Sequence, residues 1–149
     1  PHLGFELLSG SRYYTVHVGD SRIYQLTGNN VYLLTNDQTF IAREIAAGRM
    51  TPEQAKTDPR RSVLLQCVGA SDIVRPEFDT GVIMPETIYM ICSDGFRHQI
   101  TEEEMLQKIG PLNAVNENKM RQGCVFLTEL VKKRQESDNI TVGLLRTVQ

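Results

Sequence analysis

Residues 87–96 read TIYMICSDGF. The first six of these, residues 87–92, are apolar or β-branched and carry no charge. A run so short and so apolar predicts a strand buried on both faces. It stops at Ser93-Asp94-Gly95, where the chain turns with a carboxylate at the mouth of its core. An aspartate there is either a turn former bonded to its own backbone or a metal ligand held on a rigid element.

Upstream, the sequence is β-rich and then briefly helical. Leu3, Phe5, Leu7 and Leu8, residues 13–18, residues 23–26 and residues 31–34 have strand character. Gly19-Asp20-Ser21 predicts a tight hairpin turn, so residues 3–34 are expected to form an antiparallel meander. Phe40, Ile41, Glu44 and Ile45 are spaced as a helix that Gly48 stops. Thr51-Pro52-Glu53-Gln54 has the form of a capping box with proline at the first helical position. Residues 38–61 therefore predict a polar helical insertion. Residues 62–68, and then Phe78 with residues 82–84, return to β-like sequence.

Downstream, Thr101-Glu102-Glu103-Glu104 predicts a capped helix closed at Gly110-Pro111. Met120, Cys124, Leu127 and Val131 give a longer helix over residues 113–135 its core stripe. A last strand is expected at residues 140–145, after Ser137-Asp138-Asn139.

The 149 residues suffice for one domain with one core. Sixteen basic against eighteen acidic residues leave a net charge of −2, which announces neither a nucleic-acid nor a membrane surface. No apolar run approaches the ~18 residues of a membrane span. Cys67, Cys92 and Cys124 are far apart in apolar settings and predict reduced core thiols in a cytoplasmic protein, with no disulfide or zinc.

If strands 87–92 and 140–145 are antiparallel neighbours, Asp94 and Asp138 lie at the same end of the sheet; a parallel pair would separate them. Asp20 could reach the same edge. Converging carboxylates suit hard divalent cations, Mg²⁺ or Mn²⁺, which take oxygen ligands and keep bound water. By spacing alone, such aspartates are more often turn residues.

Four ordered segments narrow the choice. Residues 18–24 (VGDSRIY), 34–38 (LTNDQ), 92–96 (CSDGF) and 137–141 (SDNIT) resemble the VGDSR, LTxDH, CSDG and DNIT motifs of the metal-dependent protein phosphatases of bacterial PP2C type. Residues 48–69 resemble that family's flap. The resemblance covers nearly the whole chain and implies an α+β fold, an antiparallel β-sandwich flanked by helices. It implies dephosphorylation of phosphoserine and phosphothreonine by a metal-activated water, with two Mn²⁺ or Mg²⁺ ions and a more weakly held third. It assigns Asp94 and Asp138 to the binuclear centre and Asp20, with Asp94, to the third metal. Gly19, Ser21 and Gly95 would shape the turns, and Asn139 would position Asp138. The implied partners are a phosphoprotein substrate, a Ser/Thr kinase and its targets, with neither nucleic acid nor membrane.

The departures are specific. The family's early phosphate-gripping arginine, its acidic neighbour, the DGMGG segment whose aspartate bridges both metals and the helical pair that follows have no counterpart among these 149 residues. The chain therefore resembles the C-terminal portion of a single phosphatase domain. Weak or no activity alone is expected, and so is pairing with the missing N-terminal part, domain swapping or dimerisation through an exposed edge or apolar face. Gln38-Thr39 replaces the usual His-Ser, and His98 stands where many bacterial members have an aspartate, which bears on the third metal. The alternative reading is a non-catalytic module of the same fold that binds phosphoproteins or regulates a partner.

Overall fold

A computed structural model describes residues 3–70 and 73–148. In chain order the elements are β1 (Leu3–Ser9), β2 (Arg12–Val18), β3 (Arg22–Thr27), β4 (Asn30–Leu33), α1 (Phe40–Ala46), α2 (Pro52–Thr57), β5 (Glu77–Val82), β6 (Ile88–Cys92), α3 (Asp94–Arg97), α4 (Glu102–Ile109), α5 (Glu117–Lys133) and β7 (Val142–Arg146). The strands form two sheets, ordered β1-β2-β5 and β4-β3-β6-β7, with every pairing antiparallel.

Strand β6 is buried on both faces, as its composition requires. Ile88, Met90 and Cys92 point one way, into a cluster with Tyr24 and Leu26 of β3, Phe96, Met105, Ile109, Leu127 and Val131. Tyr89 points the other way and meets Tyr13 of β2 with ring centroids 5.6 Å apart. The first set binds the helices to the four-stranded sheet, and the second joins the two sheets. The result is an α+β architecture, an antiparallel β-sandwich with α4 and α5 packed on one sheet. On the three-stranded sheet Tyr14, Phe78 and Val82 remain exposed. Among the described residues no helix is long and apolar enough to cross a membrane.

Local signals place the helices. Both capping boxes form: Thr51 with Gln54 at α2, and Thr101 with Glu104 at α4. Burial pushes the Cys92 thiol up to about 12, so it stays protonated near neutral pH. None of the three cysteines is in a disulfide; Cys92 is buried, while Cys67 and Cys124 are half-buried, Cys124 packed against the core cluster.

Three expectations need correction. First, β2 and β3 do not form a hairpin: they belong to different sheets, and the chain crosses between them at Gly19-Asp20. Gly19 has φ +103°, donates its N–H to Gln38 Oε1 (3.0 Å) and accepts from Gln38 N (2.8 Å). The turn's backbone groups are thus spent on residue 38 instead of a paired strand. A short polar break between two β runs looks the same locally whether the strands pair or diverge. Second, residues 62–68 form no strand beyond a single bridge, Leu64 to Thr39. Their backbone instead closes the base of the insertion, through Phe40 N to Val63 O and Leu65 N to Gln38 O, both 2.8 Å. Third, Ser93-Asp94-Gly95 begins the short helix α3, with the His98 N–H donated to Asp94 O at 3.0 Å.

Candidate metal centre

The antiparallel register of β6 and β7 pairs Cys92 with Val142. It therefore brings the loop after β6 beside the loop before β7. Ser93 fastens the contact: its Oγ donates to Asn139 O (2.8 Å) and accepts from Thr141 N (3.0 Å), and its N–H reaches Thr141 O (3.0 Å). Gly95 lies so close that a Cβ there would meet Asn139 O at 2.6 Å and Asp138 Cβ at 3.1 Å. Asp94 and Asp138 consequently share one cleft of ≈ 970 Å³, which Asp20, Arg97 and His98 also line. Lys56 and Arg61 face it from the insertion, and Ser62 just after the insertion also lines it. A separate apolar groove of ≈ 660 Å³ along Val125 and Phe126 of α5 lies away from these carboxylates.

Each of the paired carboxylates is held by the main chain. Asp94 Oδ1 accepts from Gly95 N (2.9 Å), and Asp138 Oδ1 from Asn139 N (2.7 Å). Asn139 thus touches Asp138 through its backbone. Glu136 Oε1 accepts from both Ser137 N (2.9 Å) and Asp138 N (3.0 Å) and so shapes this loop from below. Its other oxygen lies 3.7 Å from His98 Nδ1. Nothing in the sequence singled out Glu136; an acid two residues before Asp138 was the available signal.

Asp20 and Ser21 occupy the crossover between the sheets, with Asp20 buried. Beside them stands an ion-pair system that the sequence reading did not anticipate. Arg22 grips Asp37 with two hydrogen bonds, Nε to Oδ1 (2.8 Å) and Nη2 to Oδ2 (2.7 Å). Arg97 adds Nη2 to Asp37 Oδ2 at 3.3 Å and reaches the Asp20 carbonyl at 3.5 Å. Asp37 thus ties β3 to α3. An arginine inside one motif segment, Arg22, and another just after a second, Arg97, were the signal available. His17, buried on β2, has its Nδ1 3.9 Å from Glu77 Oε2, and burial lowers its pKa so that it is neutral at pH 7.

Burial alone would push the Asp37 carboxyl up, but the Arg22 hydrogen bonds and the charges of Arg22 and Arg97 outweigh it and hold the carboxyl below its usual value. The unfolded chain therefore binds the proton at higher pH than the folded one. The stability this pair contributes is full above the unfolded value of about 3.9 and is lost as pH falls through the lower folded value. Asp37→Asn should cost about 1.5–3 kcal/mol at pH 7, the range for hydrogen bonds to charged groups. The gap to wild type should narrow in urea melts as pH drops below that of the free carboxyl; a gap constant with pH would refute the assignment.

Among the described residues no three His, Cys, Asp or Glu side chains stand together as a closed ligand set. The contact at Gly95 and Asn139 still has the chemistry a hard cation needs: two oxygen donors on rigid loop stems, open to a cleft where water can fill other positions. The residues fit a cation held by two carboxylates and water.

No family model matches the chain. It is 32% identical over 136 residues to the serine/threonine protein phosphatase PstP of Mycobacterium tuberculosis, covering 91% of this chain and 25% of that protein. It is 31% identical over 141 residues to the serine/threonine phosphatase stp of Listeria welshimeri, covering 93% of this chain and 53% of that protein. The crystal structure of the PstP catalytic domain in complex with two manganese ions superposes with a TM-score of 0.80 at 27% identity, over 99% of this chain and 59% of that one. The chain thus spans about half the length, or less, of the curated relatives it matches. By sequence and by fold, it belongs with the bacterial PP2C-type serine/threonine phosphatases, matching their C-terminal portion.

Proposed function

We propose that this chain carries the Asp94–Asp138 half of the active site of a metal-dependent protein serine/threonine phosphatase. The supporting observation is the 2.6 Å approach of a Gly95 Cβ position to Asn139 O, which puts two carboxylate-bearing loops in one cleft. Asp94 and Asp138 would hold Mn²⁺ or Mg²⁺. Held there, such cations would supply Lewis acidity that lowers the pKa of water and offsets charge on a phosphoryl group in transfer. Gly95 and Ser93 keep the two carboxylates in register, and Glu136 holds the Asp138 loop. Lys56 and Arg61, across the cleft, supply positive charge toward a phosphoprotein. Gly19 and Ser21 shape the crossover that presents Asp20.

The substrate would be a phosphoserine or phosphothreonine protein, with a Ser/Thr kinase and its targets as the natural partners and the cytoplasm as the compartment. The bridging aspartate and phosphate-gripping arginine of the family have no counterpart among these 149 residues. The chain by itself is accordingly a weak or inactive hydrolase, and its exposed Tyr14, Phe78 and Val82 face is where it would self-associate or meet the rest of a phosphatase fold. The lack of a closed ligand set among the described residues favours, as a second reading, a phosphoprotein-binding module without catalysis.

Mn²⁺ binding and hydrolysis of a phosphothreonine peptide test both. Mn²⁺ is expected to raise the melting temperature of the chain. Asp94→Asn and Asp138→Asn should each weaken Mn²⁺ by more than the roughly tenfold typical of losing an outer-shell partner. Peptide binding that ignores Mn²⁺ and both substitutions would replace the phosphatase reading with the binding module.

A further inference from the structure

Helix α3 is a single turn of four residues, Asp94–Arg97. One turn gains too few hydrogen bonds to hold itself, so its place is set from outside. Ser93 and the Gly95 contact fasten its start to the loop before β7, and Phe96 sinks into the core. Arg97 supplies a third anchor, three residues after Asp94 and so on the same side of the helix. Its Nη2 donates to Asp37 Oδ2 at 3.3 Å and to the Asp20 carbonyl at 3.5 Å. Both side chains of the Arg97–Asp37 pair are 13% exposed.

Asp37 is itself fixed. Arg22 holds it with two bonds, of 2.8 and 2.7 Å. Arg22 is in turn the cross-strand partner of Cys92, the last residue of β6. A ring of contacts therefore closes over the end of β6. It runs from Cys92 along the chain to Asp94 and Arg97, across to Asp37, on to Arg22, and back to Cys92 through the β3–β6 ladder. A charge-assisted bond this little exposed is only weakly screened by water and salt. Any turning of α3 that carried Asp94 away from Asp138 would have to stretch it.

We infer that Asp37 is a positioning residue for Asp94 and acts through Arg97. This rests on the metal reading of Asp94 and Asp138. Asp37 is no ligand in this scheme; it holds the helix that carries one.

Mn²⁺ affinity of the 149-residue chain, read from the electron paramagnetic resonance signal of the free ion, tests the inference, with a thermal melt of each variant to verify folding. Arg97→Met and Asp37→Asn should each weaken Mn²⁺ roughly tenfold, the low end for removing a contact that supports a ligand. The double variant should be no weaker than either single one, because both substitutions break the same contact. Should Arg97→Met fail to fold, Asp37→Asn, which keeps the shape of the side chain, carries the test. Arg146→Met is the matching control. Arg146 is 11% exposed, donates to Pro111 O at 2.9 Å and pairs with Glu86, but it stands at the far end of β7, opposite Ile88. Its loss should lower the melting temperature and leave Mn²⁺ affinity as in wild type. Wild-type affinity in a folded Arg97→Met or Asp37→Asn, additive losses in the double variant, or an equal loss of affinity in Arg146→Met would overturn the inference. Asp94→Asn keeps the two readings apart. If it too binds Mn²⁺ as wild type does, the metal centre fails; if it loses affinity while Arg97→Met and Asp37→Asn do not, only the positioning role fails.

Discussion

Truncating Phe96 to alanine is expected to destabilise the chain by about 3–5 kcal/mol, the range for removing a buried aromatic ring from a packed core. Phe96 is 0% exposed and belongs to the cluster that joins β3 and β6 to α4 and α5. It also sits one residue after Gly95, on the short helix that begins with Asp94. The ring therefore anchors from below the loop that carries a candidate metal ligand. Native domains are stable by only about 5–15 kcal/mol, so the loss is a large share of the total. For a chain of this size it corresponds to a fall in melting temperature of roughly 6–20 °C. Phe96→Leu leaves a smaller void and should cost distinctly less. A Phe96→Ala protein that melts within a degree or two of wild type would mean that the core collapses freely around the gap, against the packing described here.

Gly95→Ala is expected to do less to stability and more to the site. Alanine favours a helix over glycine by about 1 kcal/mol, so α3 in isolation would gain. The new methyl, however, would stand 2.6 Å from Asn139 O and 3.2 Å from Asn139 C, which are backbone atoms. They cannot retreat cheaply, because Asn139 O and Thr141 N are both tied to Ser93 Oγ. Overpacking of this kind costs about 1–3 kcal/mol, so the clash outweighs the helix gain and the net effect is destabilising. The loops part to relieve it, and Asp94 moves away from Asp138. Mn²⁺ affinity should then fall by about 10–100-fold, as when a ligand's supporting contacts are removed, while far-UV circular dichroism stays native. Calorimetric titration showing wild-type Mn²⁺ affinity in a folded Gly95→Ala chain would show that the close approach does not hold the two carboxylates together.

Much of the site was legible because its signals are local. The uncharged run at residues 87–92 called for a strand buried on both faces, and it is one, between the helices and the second sheet. Thr101 and Glu104 announced their capping box through spacing alone. Asp94 and Asp138 stood out as carboxylates beside strand ends, and antiparallel pairing of those strands was one of two stated options. The errors have a common origin. Gly19-Asp20 predicts a hairpin because turn chemistry is the same whether the next strand pairs with the last or leaves for another sheet. Residues 62–68 have strand composition, yet their backbone partners lie at the base of the insertion.

Composition and spacing by themselves determined most of the strands, where α2 and α4 start, and which carboxylates stand at strand ends, since these follow from backbone sterics and hydrogen bonds spanning a few residues. Only the tertiary structure decided that β2 and β3 part company, that Gly95 abuts Asn139, and that Arg22 and Arg97 converge on Asp37 from 15 and 60 residues away. Those outcomes depend on long loops closing in one of several possible ways. The choice is made by how the whole core buries its apolar surface, a sum over residues that no short window of sequence contains.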